Sequence, residues 1–332
     1  MKIAFFGTKN YDKKYFGEIS KKFNHEIEYL KPRLSPKTAL MLSNDKFDAV
    51  CVFVNDDVCR ETIEVLAKEG IKYILLRCAG FNNVDLVAAK EYNIKVARVP
   101  SYSPEAVAEH AMTLAMAANR RIHKAYNKVR DNDYSLVGLS GKNLFEKTAG
   151  IVGTGKIGLA MIRLCKGFGM NVIAFDPYPN YEIAKEMGFD YVCFDELLER
   201  SHLISLHCPL FDKTKHMINK YTINQMKQGV ILVNTSRGGL IDTEDLIDGI
   251  KANKFHAVAL DVYEEESGLV FDDLSDTILE HTTTARLLSF PNVILTSHQG
   301  FFTEEALESI AQTTLENANA FETNTTCMNI VE

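Results

Sequence analysis

Thr148-Ala149-Gly150-Ile151-Val152-Gly153-Thr154-Gly155-Lys156-Ile157-Gly158-Leu159-Ala160-Met161-Ile162-Arg163-Leu164 decides the fold. A short apolar run ends at a glycine turn, and a helix-like run follows. Farther on, Asp176 closes a second apolar run, Val172-Ile173-Ala174-Phe175. Strand, glycine turn, helix and acid-ended strand form a dinucleotide-binding fingerprint in its proper context. Gly153 permits the tight turn, Gly155 lets backbone approach a pyrophosphate, and Gly158 lets helix and strand pack closely. The helix N-terminus, from Lys156 and Ile157 onward, offers free N–H groups and a partial positive charge to phosphates. Asp176 would accept hydrogen bonds from ribose hydroxyls. It is followed by Pro177, Tyr178 and Pro179, not by a cation for a 2′-phosphate, so NAD is expected over NADP.

The fingerprint lies near the middle of a 332-residue chain, so a sizeable block precedes the nucleotide domain. Strand-like runs alternate with helical patterns in both blocks, which predicts parallel α/β architecture. The first block offers strands at 3–6, 26–30, 49–54, 73–76 and 95–97. The second offers strands at 203–207, 230–234, 257–261 and 293–296. Ser103-Pro104-Glu105 opens a helix rich in Ala and Met, apolar over much of its circumference, as a helix buried between two domains would be. A long helix is expected over 303–321. Residues 264–290 form the longest irregular-looking stretch, interposed between two strands.

Hydrophobic residues make up 46% of the chain and the formal net charge is −7, which suits full cores and argues against nucleic acid as a main partner. No apolar run reaches membrane-spanning length, and the first residues, Met1-Lys2-Ile3-Ala4-Phe5-Phe6-Gly7, suggest a buried strand and no signal peptide. The seven cysteines are scattered without a C-x-x-C pair. Six of them lie in or beside apolar runs and are expected as small core residues. Reduced thiols in a cytoplasm, with no metal site, are the simplest account.

Ligands of open α/β sheets bind beyond the carboxyl ends of the strands. Those ends carry Cys208-Pro209-Leu210, Thr235-Ser236-Arg237-Gly238, Asp261-Val262-Tyr263-Glu264-Glu265-Glu266 and Ser297-His298-Gln299. An Arg, an acid cluster and a His beside a nucleotide site suit hydride transfer to a carbonyl acid. Arg offers a planar fork for a carboxylate, His can donate the proton that a carbonyl oxygen needs, and a nearby Glu would stabilise the imidazolium. The residue pattern leaves open which of the three glutamates does so.

The chain resembles the D-2-hydroxyacid dehydrogenase family, and within it the fermentative, NAD-dependent D-lactate dehydrogenases. The resemblance is carried by Arg77-Cys78-Ala79-Gly80-Phe81-Asn82-Asn83-Val84-Asp85, Pro100-Ser101-Tyr102-Ser103-Pro104, Ala108-Glu109-His110, the glycine fingerprint, Asp176-Pro177-Tyr178, His207-Cys208-Pro209-Leu210, Asn234-Thr235-Ser236-Arg237-Gly238, Leu260-Asp261-Val262-Tyr263-Glu264 and Ser297-His298-Gln299. It implies two doubly wound parallel-sheet domains. A Rossmann NAD-binding domain, over 102–299, is inserted into a flavodoxin-like substrate domain, over 1–101 and 300–332, with substrate in the cleft between them.

The resemblance also implies roles. Arg237 matches the substrate-binding Arg, His298 the proton donor and acceptor, and Glu266 its partner, chosen over Glu264 and Glu265 by the family spacing. Backbone N–H groups at Ala79 and Gly80 would hold the substrate carboxylate, and Tyr102 would line the pocket. Cys208, Pro209 and Thr214 would lie on the cofactor side, with Asp261 at the nicotinamide carboxamide and Thr235 and Ser236 alongside.

The implied activity is NADH-dependent reduction of pyruvate to D-lactate. Tyr102, Phe301 and Phe302 could shape a small pocket, and a larger 2-oxo acid such as 2-oxoisocaproate or phenylpyruvate is the nearest rival substrate. Some relatives act as NAD-sensing corepressors, a binding role to which the acidic charge and lack of tails are poorly suited. A homodimer or higher homo-oligomer is expected from the family.

Overall fold

The computed structural model describes residues 1–266, 269–271, 273–278 and 282–331, apart from the side chain of residue 44. In chain order the elements are β1 (Lys2–Phe5), α1 (Asn10–Ile19), β2 (Glu26–Tyr29), β3 (Ala49–Val52), α2 (Arg60–Lys68), β4 (Tyr73–Leu76), α3 (Leu86–Glu91) and β5 (Lys95–Ala97). Next come α4 (Pro104–Arg120), α5 (Ile122–Arg130), β6 (Thr148–Val152), α6 (Lys156–Gly167), β7 (Asn171–Phe175), α7 (Tyr181–Met187), β8 (Asp190–Tyr191), α8 (Phe194–Arg200) and β9 (Leu203–Leu206). The chain continues through α9 (Lys220–Gln225), β10 (Val230–Asn234), α10 (Thr243–Lys251), β11 (Phe255–Leu260), α11 (Thr282–Ser289) and β12 (Val293–Leu295), and ends with α12 (Glu304–Glu322) and β13 (Ile330–Val331). Two compact units result, one of residues 1–103 and 302–332, the other of Pro104–Phe301.

The first unit holds a sheet in the order β13-β5-β4-β3-β1-β2. Its four pairings among β1 to β5 are parallel, and only β13 runs antiparallel, with Ile330 opposite Ala97. This is the flavodoxin-like order, whose switch point lies between β1 and β3. The carboxyl ends of these strands enclose an ionic cluster. Arg77 is 4% exposed and sits between the rings of Phe5 and Phe53, with its carbon centre 4.4 and 5.0 Å from their centroids. Its Nε lies 3.6 Å from Asp12 Oδ1, and its Nη2 donates to the Gly7 carbonyl at 3.4 Å. Asp56 is equally buried and accepts from the N–H groups of Leu34 and Phe53, each at 2.6 Å. Burial is the largest single influence and lowers the Arg77 pKa, but Asp12, Cys51, Asp56 and Tyr11 together more than reverse it. Its Nη1 has no partner.

The second unit holds a sheet in the order β12-β11-β10-β9-β6-β7-β8, all parallel. Numbered within the unit this is the Rossmann order with one further strand. Both faces are covered, so alternate residues of one strand enter different cores. Ala257 and Ala259 of β11 join Ile151, Met161 and Ile162 on one side. Val258 and Leu260 join Leu197, Ile204 and Leu232 on the other. Strands buried on both faces become near-continuous apolar runs, which is why these were visible in the sequence. The Ala/Met helix α4 packs on α6, β10 and β11 of its own unit, and its small side chains permit that close approach.

Two expectations need correction. Five cysteines are buried, not six: Cys59 is half-buried and Cys193 exposed, and these two stand at the N-caps of α2 and α8. The 264–290 stretch is not irregular throughout, because α11 spans 282–289. That helix opens on Thr282-Thr283-Thr284, a β-branched run of low helix propensity. Residues 267, 268, 272 and 279–281 of that stretch lie outside the described residues. Among the described residues no helix is long and apolar enough to cross a membrane.

Candidate active site

The glycine loop shows three different reasons for glycine. Gly153 has φ 91°, and a Cβ there would lie 2.8 Å from the Cys208 nitrogen. A Cβ on Gly158 would lie 2.0 Å from the Gly153 carbonyl oxygen, so helix α6 could not approach β6. A Cβ on Gly155 would meet nothing within 4 Å, since this residue faces open space at the α6 N-cap. Lys156 is exposed and Ile157 half-buried. Their N–H groups, like those of any first helical turn, have no intrahelical acceptor.

Asp176 ends β7 and ties the loop down. Its Oδ2 accepts from Thr154 N at 2.7 Å and from Thr154 Oγ1 at 3.0 Å, while its Oδ1 accepts from Tyr178 N. Across the sheet, the Cys208 carbonyl accepts from Ser236 Oγ at 2.7 Å, which joins the ends of β9 and β10. Burial pushes the Cys208 thiol up to about 11, so it is a packed group and not a nucleophile. Thr214 Oγ1 donates to the Pro209 carbonyl at 2.8 Å and staples the loop after β9. Thr235 Oγ1 is buried and without a hydrogen-bond partner. An open Gly155, free amides at a helix N-terminus, an acid at the end of β7 and an orphaned hydroxyl fit a dinucleotide.

The candidate catalytic rim is built at the ends of β10, β11 and β12. His298 Nδ1 lies 3.0 Å from Glu266 Oε1. The side chains are 22% and 18% exposed, dry enough to strengthen the pair yet open to a ligand. The two neighbouring glutamates are engaged elsewhere. Glu264 Oε1 is 2.6 Å from His216 Nε2, and Glu265 Oε1 accepts from Thr283 Oγ1 at 3.0 Å. Three acids that the sequence leaves equivalent are thus separated by their partners. His298 Nε2 makes no hydrogen bond within the described residues.

His298 has left-handed backbone, φ 51°, a conformation that costs a residue with a Cβ on the order of 1–3 kcal/mol. Asp261 holds it there. The Asp261 carbonyl accepts from His298 N at 2.9 Å, and its carboxylate accepts from Gln299 N, Gly300 N and Thr296 Oγ1. His110 Nε2, on α4, is 3.1 Å from the same carboxylate. Burial pushes the Asp261 carboxyl up, but these hydrogen bonds outweigh it and hold the group below the usual carboxylate range. With 1% exposure, the Asp261 side chain faces protein and serves the His298 loop.

Arg237 follows β10. Its Nη1 donates to the Ser236 carbonyl at 2.7 Å, and the rest of its fork has no protein partner among the described residues. The structure shows no bond from it to His298 or Glu266. The next residue, Gly238, lies against the segment after β11, where a Cβ would lie 2.2 Å from the Tyr263 carbonyl carbon. Ala79, Gly80 and Tyr102 belong to the first unit and are half-buried there. The N–H groups of Ala79 and Gly80 donate to no protein group. Phe301 is buried, whereas Phe302 is 49% exposed and packs edge-on against Tyr11.

Sequence reasoning missed Phe271. Its ring centroid is 6.0 Å from that of His298 and 6.2 Å from that of Phe301, so it walls the histidine. The only available signal was its place in the 264–290 stretch. Asp261's role as the anchor of the His298 loop was also missed, and no spacing rule would have found it. Among the described residues no group of three His, Cys, Asp or Glu side chains is arranged to hold a metal ion.

Residues 112–300 match the family profile described as D-isomer specific 2-hydroxyacid dehydrogenase, NAD binding domain. The chain is 50% identical over 329 residues to the D-lactate dehydrogenase of Escherichia coli K12, which covers 99% of each chain. The apo-structure of D-lactate dehydrogenase from Escherichia coli superposes with a TM-score of 0.91 at 49% identity and covers all of both chains. The structure reported for the pyruvate reductase of Chlamydomonas reinhardtii gives a TM-score of 0.93 at 41% identity, covering 99% of this chain and 98% of that one.

Proposed function

The chain belongs to the D-isomer specific 2-hydroxyacid dehydrogenase family, and from that premise we propose that it reduces pyruvate to D-lactate with NADH, reversibly. The observation that carries the reading is the His298–Glu266 pair at 3.0 Å, with the other imidazole nitrogen free of protein partners. NADH, when bound, supplies a hydride to C2 of the substrate. His298 Nε2 donates a proton to the oxygen of the same carbon. Glu266 accepts from Nδ1 and balances the charge on the ring through the cycle. Arg237 presents its free N–H groups to the carboxylate and carbonyl oxygens, where a planar fork both orients and polarises. On the first unit, the free N–H groups of Ala79 and Gly80 suit a carboxylate. On the second, Lys156, Ile157, Gly155 and Thr235 are suited to hold the cofactor, with Asp176 at its ribose. The mostly buried cysteines suit a reducing, cytoplasmic setting.

Purified protein is tested by NADH consumption with pyruvate, hydroxypyruvate, 2-oxoisocaproate and phenylpyruvate, followed by the chirality of the product. The reading expects fastest turnover of pyruvate and D-lactate as product. His298→Ala is expected to lower kcat by about 10²–10⁴-fold with NADH affinity nearly unchanged. Glu266→Gln lowers kcat too, whereas Glu265→Gln does not. Preference for a bulky 2-oxo acid would move the substrate and keep the mechanism. Tight NADH binding with no turnover of any 2-oxo acid would overturn the enzyme reading in favour of an NAD(H) sensor.

A further inference from the structure

Arg98 sits behind the loop to which the proposed function assigns the substrate carboxylate. Its Nη1 donates to the Ala79 carbonyl at 2.8 Å. In a trans peptide the C=O of one residue and the N–H of the next point to opposite sides of one plane, and the described chain has no cis peptide bond. Fixing the Ala79 carbonyl on Arg98 therefore fixes the direction of the Gly80 N–H. The neighbouring acceptors are also taken. Cys78 Sγ donates to the Gly80 carbonyl at 3.3 Å, and Val99 N donates to the Cys78 carbonyl at 3.1 Å. Three successive carbonyls are occupied while the N–H groups of Ala79 and Gly80 are free. A loop polarised in this sense favours an anion, and a charged donor on its carbonyl strengthens the N–H across the peptide.

Arg98 is itself held on every side. Its guanidinium lies over the Phe81 ring, 5.1 Å from the centroid. Its backbone N–H donates to the Asn329 carbonyl at 3.0 Å, and its carbonyl accepts from Asn317 Nδ2 at 2.9 Å. The Asn317 side-chain oxygen in turn accepts from Asn329 Nδ2 and Cys327 Sγ. These contacts run from α12 and the segment leading into β13, through Arg98, to the Ala79–Gly80 peptide. A surface arginine with a solvated head has no such set of directed contacts.

We propose that Arg98 is a positioning residue for substrate recognition: it turns the Ala79–Gly80 peptide so that its N–H faces the 2-oxo acid carboxylate, and the C-terminal segment holds Arg98 in that pose. The proposal rests on the carboxylate role given above to that loop. It concerns binding and leaves the proton and hydride steps untouched, so its effect falls on KM and not on kcat.

The test compares Arg98→Gln and Arg98→Lys with the unaltered protein. Arg98→Gln is expected to raise the KM for pyruvate about tenfold or more, since a charged hydrogen bond is removed, with kcat and NADH affinity within about threefold. Arg98→Lys, which retains one charged donor, should fall between. Amide hydrogen exchange over residues 78–82 should speed up in Arg98→Gln while β1, β3 and β4 stay protected. A folded Arg98→Gln with unchanged KM and unchanged exchange would overturn the proposal. So would equal losses in KM, kcat and NADH affinity, the mark of a merely structural residue. If Arg98→Gln does not fold, the KM and exchange of Arg98→Lys decide in the same way. If the unaltered protein turns over no 2-oxo acid, the functional reading fails by itself, and the exchange data still judge whether Arg98 fixes the loop.

Discussion

The two parallel sheets present their carboxyl edges in opposite ways. The first unit buries its charges there and exposes backbone: Arg77, Asp12 and Asp56 lie inside, while the N–H groups of Ala79 and Gly80 are free. The second unit buries glycine backbone and a single tied-down acid and leaves reactive side chains within reach of solvent: Gly153, Gly158 and the anchored Asp261 lie within, while Glu266, His298 and Arg237 are only half-buried. The contrast matches two kinds of work. Holding an anion needs only fixed dipoles, which backbone supplies without titrating. Moving a proton needs an ionisable side chain, and its loop must be stiff because the side chain cannot be.

The comparison breaks most visibly at Arg77. Replacing it by Met leaves Asp12 and Asp56 buried without their cation, which should cost about 3–5 kcal/mol and lower the urea midpoint accordingly. NADH binding to the second unit should change little in the protein that remains folded. An unchanged midpoint would mean that the first edge owes nothing to its ions.

A smaller effect sharpens the second edge. His207, after β9, is half-buried beside Ser205 Oγ at 2.9 Å, and burial pushes its pKa down to about 4. The unfolded chain takes up this proton near the ordinary value of about 6.5, and the folded chain does so only near 4. Stability is therefore full above about 6.5 and falls as pH drops toward 4, by at most about 3 kcal/mol. Urea unfolding of His207→Asn should show a shallower loss across that window, and a parallel loss would sink the assignment.

The smallest effect separates two glycines. Gly158→Ala drives a methyl into the Gly153 carbonyl and should cost about 1–3 kcal/mol as well as NADH affinity. Gly155→Ala meets open space, so thermal stability should hold while NADH affinity falls. If both variants lost stability alike, Gly155 would be structural and not a place of close ligand approach.

The same contrast explains what the sequence made legible. Strands buried on both faces show as apolar runs, so β1, β3, β4, β9, β10 and β11 were located to within one or two residues. The strands β8 and β13 have two residues each, too few to carry any period, and were missed. The glycine loop was legible because backbone geometry there admits one residue type. Side-chain partnerships were not. Glu264, Glu265 and Glu266 are chemically identical, and apart from the family resemblance nothing in the residue pattern tells them apart; their three-dimensional partners His216, Thr283 and His298 do. Nothing in the sequence singles out Arg98, because its partners lie in the approach to β13 and in the loop after β4, away from it along the chain.

The interruption of the first unit by the second has a consequence for how the protein is made. Asn317 and Asn329, which hold Arg98, are synthesised only after Pro104–Phe301 has been translated. At about 5–20 residues per second, that roughly 200-residue interval lasts about 10–40 s. At its end the second unit has every residue it needs to close, while β5 still lacks the partner that covers its edge. Newborn chains should therefore acquire the grip on cofactor first and the grip on substrate last.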